Sequence, residues 1–578
     1  MEIKEIKDFK VQMENRHAQR ISQQSIDQKF FTDTFFIPHV KTKEGKKVSE
    51  YEIRTGFVSE MANGFTQQLI NSIPKVYVKP KMKNGKVTKE TEQASDRIAS
   101  VMNHWCYKLG KQSHNPFKDT FKKLAFTRGE AWVYVPHKPE LAMYDGKWQD
   151  EYPDDIPVHF ILYDPMVVYS EPSEYIDGKP TRVLVSYKRM VSDIASNYPY
   201  WTKARNHKDN EEVEFLLYCD QKMSYAEADN EPLFRTPRGK YVNEDGRKSN
   251  IYGCVNFAHT YSGWGVETEG KDPELLAFTR TRMIRGRVEE DTSMATDFRY
   301  NIHAFAFKHR TLVNKSGQEI GQDFSREYHP NEPGKLSILN IPAGADMTVE
   351  ETQLFDAPVF AYRGQVKADL NAAYPAPLRG SATGSSGRQE DILSSHGLTM
   401  YDCVVENNST LWAEAFQIAC KISYNLPDMI PYGMKEGDHE SYTEIVVNTR
   451  REDPVAVARK RAEGLQLYER GVIDLEELFI EYYGKTKEEA MKLKARTWIE
   501  QAMRTNPVFQ QLIIQTAAEE MGKEEQLAQL QMQLQEASTG INPVSNYGSK
   551  GGQPRTGNIK TPRGMEMADQ SSFHEMRV

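Results

Sequence analysis

The strongest constraint on this 578-residue chain is a helical apolar stripe of about 35 residues, followed by a turn-rich insertion and a second helical run. Between Asp272 and Lys308 the positions Ile284, Val288, Ala295, Phe298, Ile302 and Phe305 keep a three-to-four spacing, and the opposite face is charged. Residues 312–355 hold turn formers and short β-prone runs. A returning helix starts at Pro358 and carries Val359, Val366 and Leu370, until Pro375 and Pro377 end it. Two long helices joined at their far end by a β-module predict a stalk with a tip rather than another globule. Such a stalk cannot bury both of its faces alone. Composition agrees: with Gly counted and Tyr left out, about 40% of residues are apolar, below the roughly 45–50% usual for globular chains.

The rest of the chain divides around that stalk. Residues 1–48 are mixed in charge and predict an arm with some helix. From Tyr51 the ladder Ile53, Phe57, Met61, Phe65, Leu69, Ile73 predicts a long helix stopped by Pro74. Asn84-Gly85 marks a hairpin turn. Ile98, Val101, Trp105 and Leu109 predict a second helix, and Phe117, Phe121 and Leu124 a third. After Gly129 come "AWVYV", "VHFILYDPMVVYSE", "RVLVSYKRM", "EVEFLLYCD" and "YGCVNFAHTY", so residues 49–271 predict helices packed on a mixed sheet, an α+β unit. A polar loop, "LRGSATGSSGRQED", leads into an amphipathic helix with Leu398, Val404, Leu411, Trp412 and Phe416, with a kink expected at Gly397. "YTEIVVNT" predicts a strand. Residues 450–536 predict salt-bridged, solvated helices, since acids and bases between Arg450 and Glu500 balance at 11 each. Beyond residue 537 Gly, Pro, Ser and Asn dominate, the composition of a disordered tail.

Local chemistry is sparse. Glu140–Gly246 contains 21 acids and 12 bases, which accounts for the whole formal charge of -8 and argues against electrostatic wrapping of nucleic acid. The five cysteines show no CxxC spacing, so reduced thiols are expected rather than disulfides or a zinc site. There is no GxxxxGK[ST] and no HExxH. No catalytic residue, cofactor or metal site is therefore expected. No apolar stretch approaches the 18 or more residues that a spanning helix needs. Two features remain. The glycine loop at 380–387 follows a proline-terminated helix, where a nucleotide loop would follow a strand, so it predicts a connector between helices. Arg280, Arg282, Arg285 and Arg287 could contact a nucleic acid or an acidic protein, or form the solvated face of a helix.

The order of these parts resembles the portal proteins of tailed double-stranded DNA bacteriophages, over most of residues 50–510. The resemblance is carried by "NSIPKVYVKP", the Gly129 turn into "EAWVYV", "YDPMVVYSE" and the helix, β-module, helix order. The polar loop, "LTMYDCVVENNSTLWAEAFQIACKI" and "YERGVIDLEELFIEYYGKT" complete it. It implies a portal fold: a wing over 49–271, stem helices over 272–311 and 356–377, and a clip over 312–355. A tunnel loop would occupy 378–388, a kinked helix with wing return 389–449, and a helical crown 450–536. It further implies a homo-oligomeric ring, usually of twelve subunits, at one capsid vertex of the virion, assembled in the host cytoplasm. The ring would pass double-stranded DNA and dock the terminase large subunit and then a head-tail adaptor, seated among major capsid and scaffold proteins, with no membrane involved. Arg379, Gly380, Ser381, Thr383, Gly384, Ser385 and Arg388 would line the DNA channel, and Arg280, Arg282, Arg285 and Arg287 would meet capsid or scaffold. The alternatives are another virion protein of the head-tail connector, or a nucleotide-dependent DNA enzyme, which would require a phosphate loop and an acidic metal site.

Overall fold

The computed structural model describes residues 2–35, 53–83, 86–137, 156–198, 201–234, 246–250, 252–306, 310–314, 345–349, 357–374, 376–379, 397–426, 430–431, 433–451, 454–485 and 490–498. The chain forms two compact units, Met1–Asp453 and Pro454–Val578.

The first unit opens with α1 (Ile3–Phe31), started by a capping box between Glu2 and Glu5. Next come α2 (Phe57–Leu69) and β1 (Ile70–Pro80), then the short strands β2 (Met82–Lys83) and β3 (Lys86–Val87). Helices α3 (Lys89–Gly110) and α4 (Pro116–Lys122) follow, capped by Thr88 and Asn115. The strand-rich part contains β4 (Glu130–Tyr134), β5 (Ile161–Tyr163), β6 (Val168–Tyr169), β7 (Arg182–Met190) and α5 (Val191–Asn197). It continues through β8 (Glu212–Asp220), β9 (Met223–Ala228), β10 (Glu231–Pro232), β11 (Lys248–Ser249) and β12 (Phe257–Tyr261). Then come α6 (Pro273–Leu276), α7 (Arg280–Ala306), β13 (Arg310–Asn314), β14 (Ala345–Val349) and α8 (Ala357–Ala373). The unit closes with α9 (Asp402–Asn425) and β15 (Tyr442–Arg450).

A six-stranded sheet runs β10-β9-β8-β7-β6 with β11 beside β9; β12-β4-β5 form a second sheet, and β1-β15, β13-β14 and β2-β3 are pairs. Every pairing among these strands is antiparallel, which corrects the mixed sheet expected from sequence and retains the α+β class. Period-two alternation splits β7 and β8 between two cores. Val183, Val185, Phe215 and Leu217 pack with Trp132 and Ile194, whereas Leu184, Leu216 and Tyr218 face Ile6, Phe9 and Met13 of α1. A larger aromatic core joins α2, α3, α4 and α9 through Phe65, Trp105, Phe117, Phe121, Trp412 and Phe416.

Several expectations shift. The helix predicted from Tyr51 to Ile73 spans only Phe57–Leu69, and Pro74 lies inside β1. The ladder to β15 skips from Ile70 to Lys75, so the missing proline N–H interrupts nothing. Because β1 pairs with distant β15, the hairpin predicted around Asn84-Gly85 shrinks to the two-residue strands β2 and β3. On the flank of β1 opposite β15, Asn103 of α3 accepts from Val76 N at 2.9 Å and donates to Val76 O at 3.1 Å, protecting the edge. The helix expected from Asp272 breaks into α6 and α7 at Ala277–Thr279. The kink expected at Gly397 falls instead at 400–401, a turn between helical residues 397–399 and α9. Most of 312–355, most of the polar loop and the tail beyond residue 537 lie outside the described residues.

In the second unit α10 (Pro454–Glu469) turns at Gly471, whose φ of +71° suits glycine. Asp474 then caps a helical stretch ending at Tyr482. Gly464 lets the Tyr482 ring approach closely: a Cβ there would lie 2.4 Å from Tyr482 Cγ. Lys494 reaches Asp474 at 3.0 Å and Glu476 at 3.3 Å.

Candidate functional site

The helical pair and its root are the part of the fold with a geometry beyond packing. Helices α7 and α8 run antiparallel. Phe298 stacks on Phe360 at 5.0 Å, Arg363 reaches Asp291 at 3.4 Å, and Arg287 reaches Asp369 at 3.2 Å. Strands β13 and β14 pair from Arg310↔Val349 to Asn314↔Ala345, so the helix ends are joined through a β-ladder. Ile302, Phe360 and Tyr362 remain 59%, 56% and 50% exposed in the single chain.

The root is held tightly. Gly129 has a φ of +72°, and a Cβ on it would lie 2.5 Å from the Ala277 carbonyl carbon; one on Gly265 would lie 2.2 Å from the Leu276 oxygen. The backbone between α6 and α7 is therefore wedged between two glycines, and Ser262 Oγ donates to Phe278 O at 2.6 Å. Thr279 caps α7 by accepting from Arg282 N at 3.0 Å, and its hydroxyl donates to Asp27 Oδ2 at 2.7 Å. Arg282 and Arg285 lie 3.6 and 3.5 Å from the same carboxylate. Burial pushes the Asp27 carboxyl up, against the Thr279 hydrogen bond and the two guanidinium charges. Burial likewise pulls Arg282 down, so this contact does not repay its own desolvation.

One turn and more along α1, Arg20 pairs with Glu130 beneath the surface. Glu130 also accepts from Gln24 Nε2 at 2.8 Å and Trp132 Nε1 at 3.3 Å, and lies 3.2 Å from His259 Nε2. Burial alone raises the Glu130 carboxyl; Arg20, His259 and Gln24 outweigh it and bring it to about 2. Burial holds His259 below its ordinary value. His17, whose Nε2 lies 2.8 Å from Ser170 O, is lowered to about 3 by burial and then by Arg20. The network is thus an ionised Arg20–Glu130 pair among neutral imidazoles. Glu130 and His259 are 2% and 5% exposed, so the pair ties α1 to the sheets and is closed to a substrate. Among the described residues no group of three or more His, Cys, Asp or Glu is placed to hold a metal ion.

The far end of α8 is anchored as well. Tyr374 packs on Gly64, where a Cβ would lie 2.1 Å from the phenol oxygen, and Gln68 Nε2 donates to Leu378 O at 3.0 Å. Arg379 sits 5.9 Å above the Tyr374 ring, so of the residues expected to line a channel it has a fixed origin. Gly380, Ser381, Thr383, Gly384, Ser385 and Arg388 lie outside the described residues.

The four arginines Arg280, Arg282, Arg285 and Arg287 do not form one outward patch. Arg282, with a side chain 8% exposed, and Arg285 turn inward onto Asp27; Arg287, 47% exposed, spans α7 and α8. Arg280 is half-buried near Tyr401 and lowers that phenol against the larger raising effect of burial. The sequence reading missed the inward arginines because their partner lies on α1, 255 residues upstream of Arg282. A signal existed: the apolar stripe Ile6, Phe9, Met13 continues in phase as His17, Arg20, Gln24, Asp27.

No helix among the described residues is long and apolar enough to cross a membrane. No family model matches the chain, and no curated protein matches it. Among solved structures, a chain described as "Neck of empty GTA particle computed with C6 symmetry" is 10% identical, covering 73% of this chain and 88% of that chain at a TM-score of 0.32.

Proposed function

We propose that this chain is a portal-type ring subunit of a tailed-phage particle, the channel through which double-stranded DNA enters and leaves the head. The observation that carries this reading is the antiparallel pair α7/α8, joined through a β-ladder and rooted firmly, with Ile302, Phe360 and Tyr362 uncovered. Copies arranged around a closed cyclic axis cover such faces with identical neighbours. In this reading the region 312–355 docks the terminase large subunit and then a head-tail adaptor. Arg287 and Arg280 are the members of the cluster with surface left for capsid or scaffold protein.

The role is passive: a separate terminase consumes ATP, and the ring supplies the seat and the lumen. The polar stretch 378–391, the loop with the first residues after it, carries Arg379 and Arg388 against Glu390 and Asp391. Each side chain recurs once per subunit, so a net positive loop would build a strong circular field and grip phosphates. The balance of two against two lets a duplex slide. Deleting residues 380–386 is expected to spare ring formation and to lower genome filling or DNA retention in particles. Normal filling of mutant particles would remove the channel assignment.

A further inference from the structure

A cleft of about 240 Å³ opens between α9 and the loops around Lys179 and Cys254. Its α9 side presents Glu414, Gln417, Ile418 and Lys421, one helical face by spacing, and Phe257 forms part of the opposite wall. The polar groups are unequal in charge. Glu414 is nearly buried, with a side chain 12% exposed; it accepts from His259 N at 3.4 Å and has Lys179 Nζ at 3.7 Å. Lys421 is exposed and has no ion-pair partner among the described residues, so Lys179 and Lys421 leave one positive charge uncompensated against Glu414.

We propose that this cleft binds a single carboxylate on a short aliphatic stem. The two lysines receive the carboxylate, Gln417 offers a further donor, and Ile176, exposed at the rim, receives the stem. Its volume falls below the roughly 300–1,000 Å³ of drug-sized or nucleotide pockets, which limits the occupant to about one side chain. The source is either a free dicarboxylate or a glutamate side chain of a protein segment. The inference is independent of the ring reading.

Cys254 lines the cleft and reports on it. The full-length chain is alkylated with iodoacetamide at pH 8.5, and labelling of Cys254 and Cys403 is followed by peptide mass spectrometry. Cys403, also part-buried but outside the cleft, is the internal control. Glutarate, or an acetylated and amidated Ala-Glu-Ala peptide, at millimolar concentration is expected to slow Cys254 labelling about fivefold with Cys403 unchanged, in keeping with a weak, solvent-screened charge contact. Protection by glutarate assigns a free carboxylate; protection by the peptide alone assigns a protein segment. Lys421→Gln should abolish protection, scored as the ratio of Cys254 labelling with and without ligand in the same variant, because loss of the Lys421 charge also slows basal alkylation of the Cys254 thiol. Absence of protection by either compound, or equal protection in Lys421→Gln, would overturn the site.

Discussion

At the scale of single residues, two buried carboxylates on the same network behave oppositely. Glu130 is fully partnered and held ionised, so Glu130→Gln leaves Arg20 buried without its counter-charge and should cost about 3–5 kcal/mol. Asp27 is pushed toward its neutral form, and an asparagine can still accept from Thr279; Asp27→Asn should cost less than about 1.5 kcal/mol. Denaturant unfolding of both variants checks the contrast, and equal losses would contradict it. The pH dependence has a definite sign. His17 and His259 have folded values below about 6.5, so the stability they contribute is present above that pH and falls as the unfolded histidines take up protons. Glu130, lowered to about 2, adds a further loss below roughly pH 4.3. Asp27 opposes this trend, since a raised carboxyl contributes stability only at low pH. Unfolding free energy should therefore decline from pH 6.5 toward 4.5, by up to about 1.4 kcal/mol per pH unit from His17, with His259 adding in the same direction. His17→Gln, which retains a donor for Ser170 O, should flatten that decline; an unchanged slope would show that His17 is not its source.

At the scale of elements, the root of α7 depends on backbone approach that only glycine permits. Gly129→Ala combines a left-handed φ with a contact of 2.5 Å to Ala277 and should cost roughly 2–4 kcal/mol, measurable as a lowered denaturation midpoint at unchanged m-value. Across α7 and α8, a double-mutant cycle on Asp291 and Arg363 should return about 1 kcal/mol of coupling, because both side chains are largely covered at 3.4 Å. Zero coupling would argue against the antiparallel register. These elements also show what the sequence could disclose. The stripes on α3, α4, α7 and α9 were legible because helix periodicity is local and Trp105, Phe121, Phe298 and Trp412 mark it strongly. Pro74 was misread as a stop because its tolerance inside β1 depends on a bulge against β15, some 370 residues away. The inward turn of Arg282 and Arg285 was hidden for the same reason: nothing near them in sequence reveals Asp27. Non-local pairing decides both cases. The cleft beside Lys421 was equally invisible, since its walls come from four separate segments.

At the scale of the whole molecule, the account rests on incompleteness. In the proposed ring, a firmly rooted helical pair with large apolar side chains exposed in the single chain gains its burial from another copy. Substituting Phe360 and Tyr362 with serine should weaken self-association while leaving the monomer's secondary structure intact by circular dichroism. The most direct test is mass photometry combined with negative-stain imaging of the purified full-length chain over a wide concentration range. The expected result is a discrete high-mass species imaged as closed annuli with a central hole. A well-folded monomer persisting at every concentration, with no annular particles, would contradict the account.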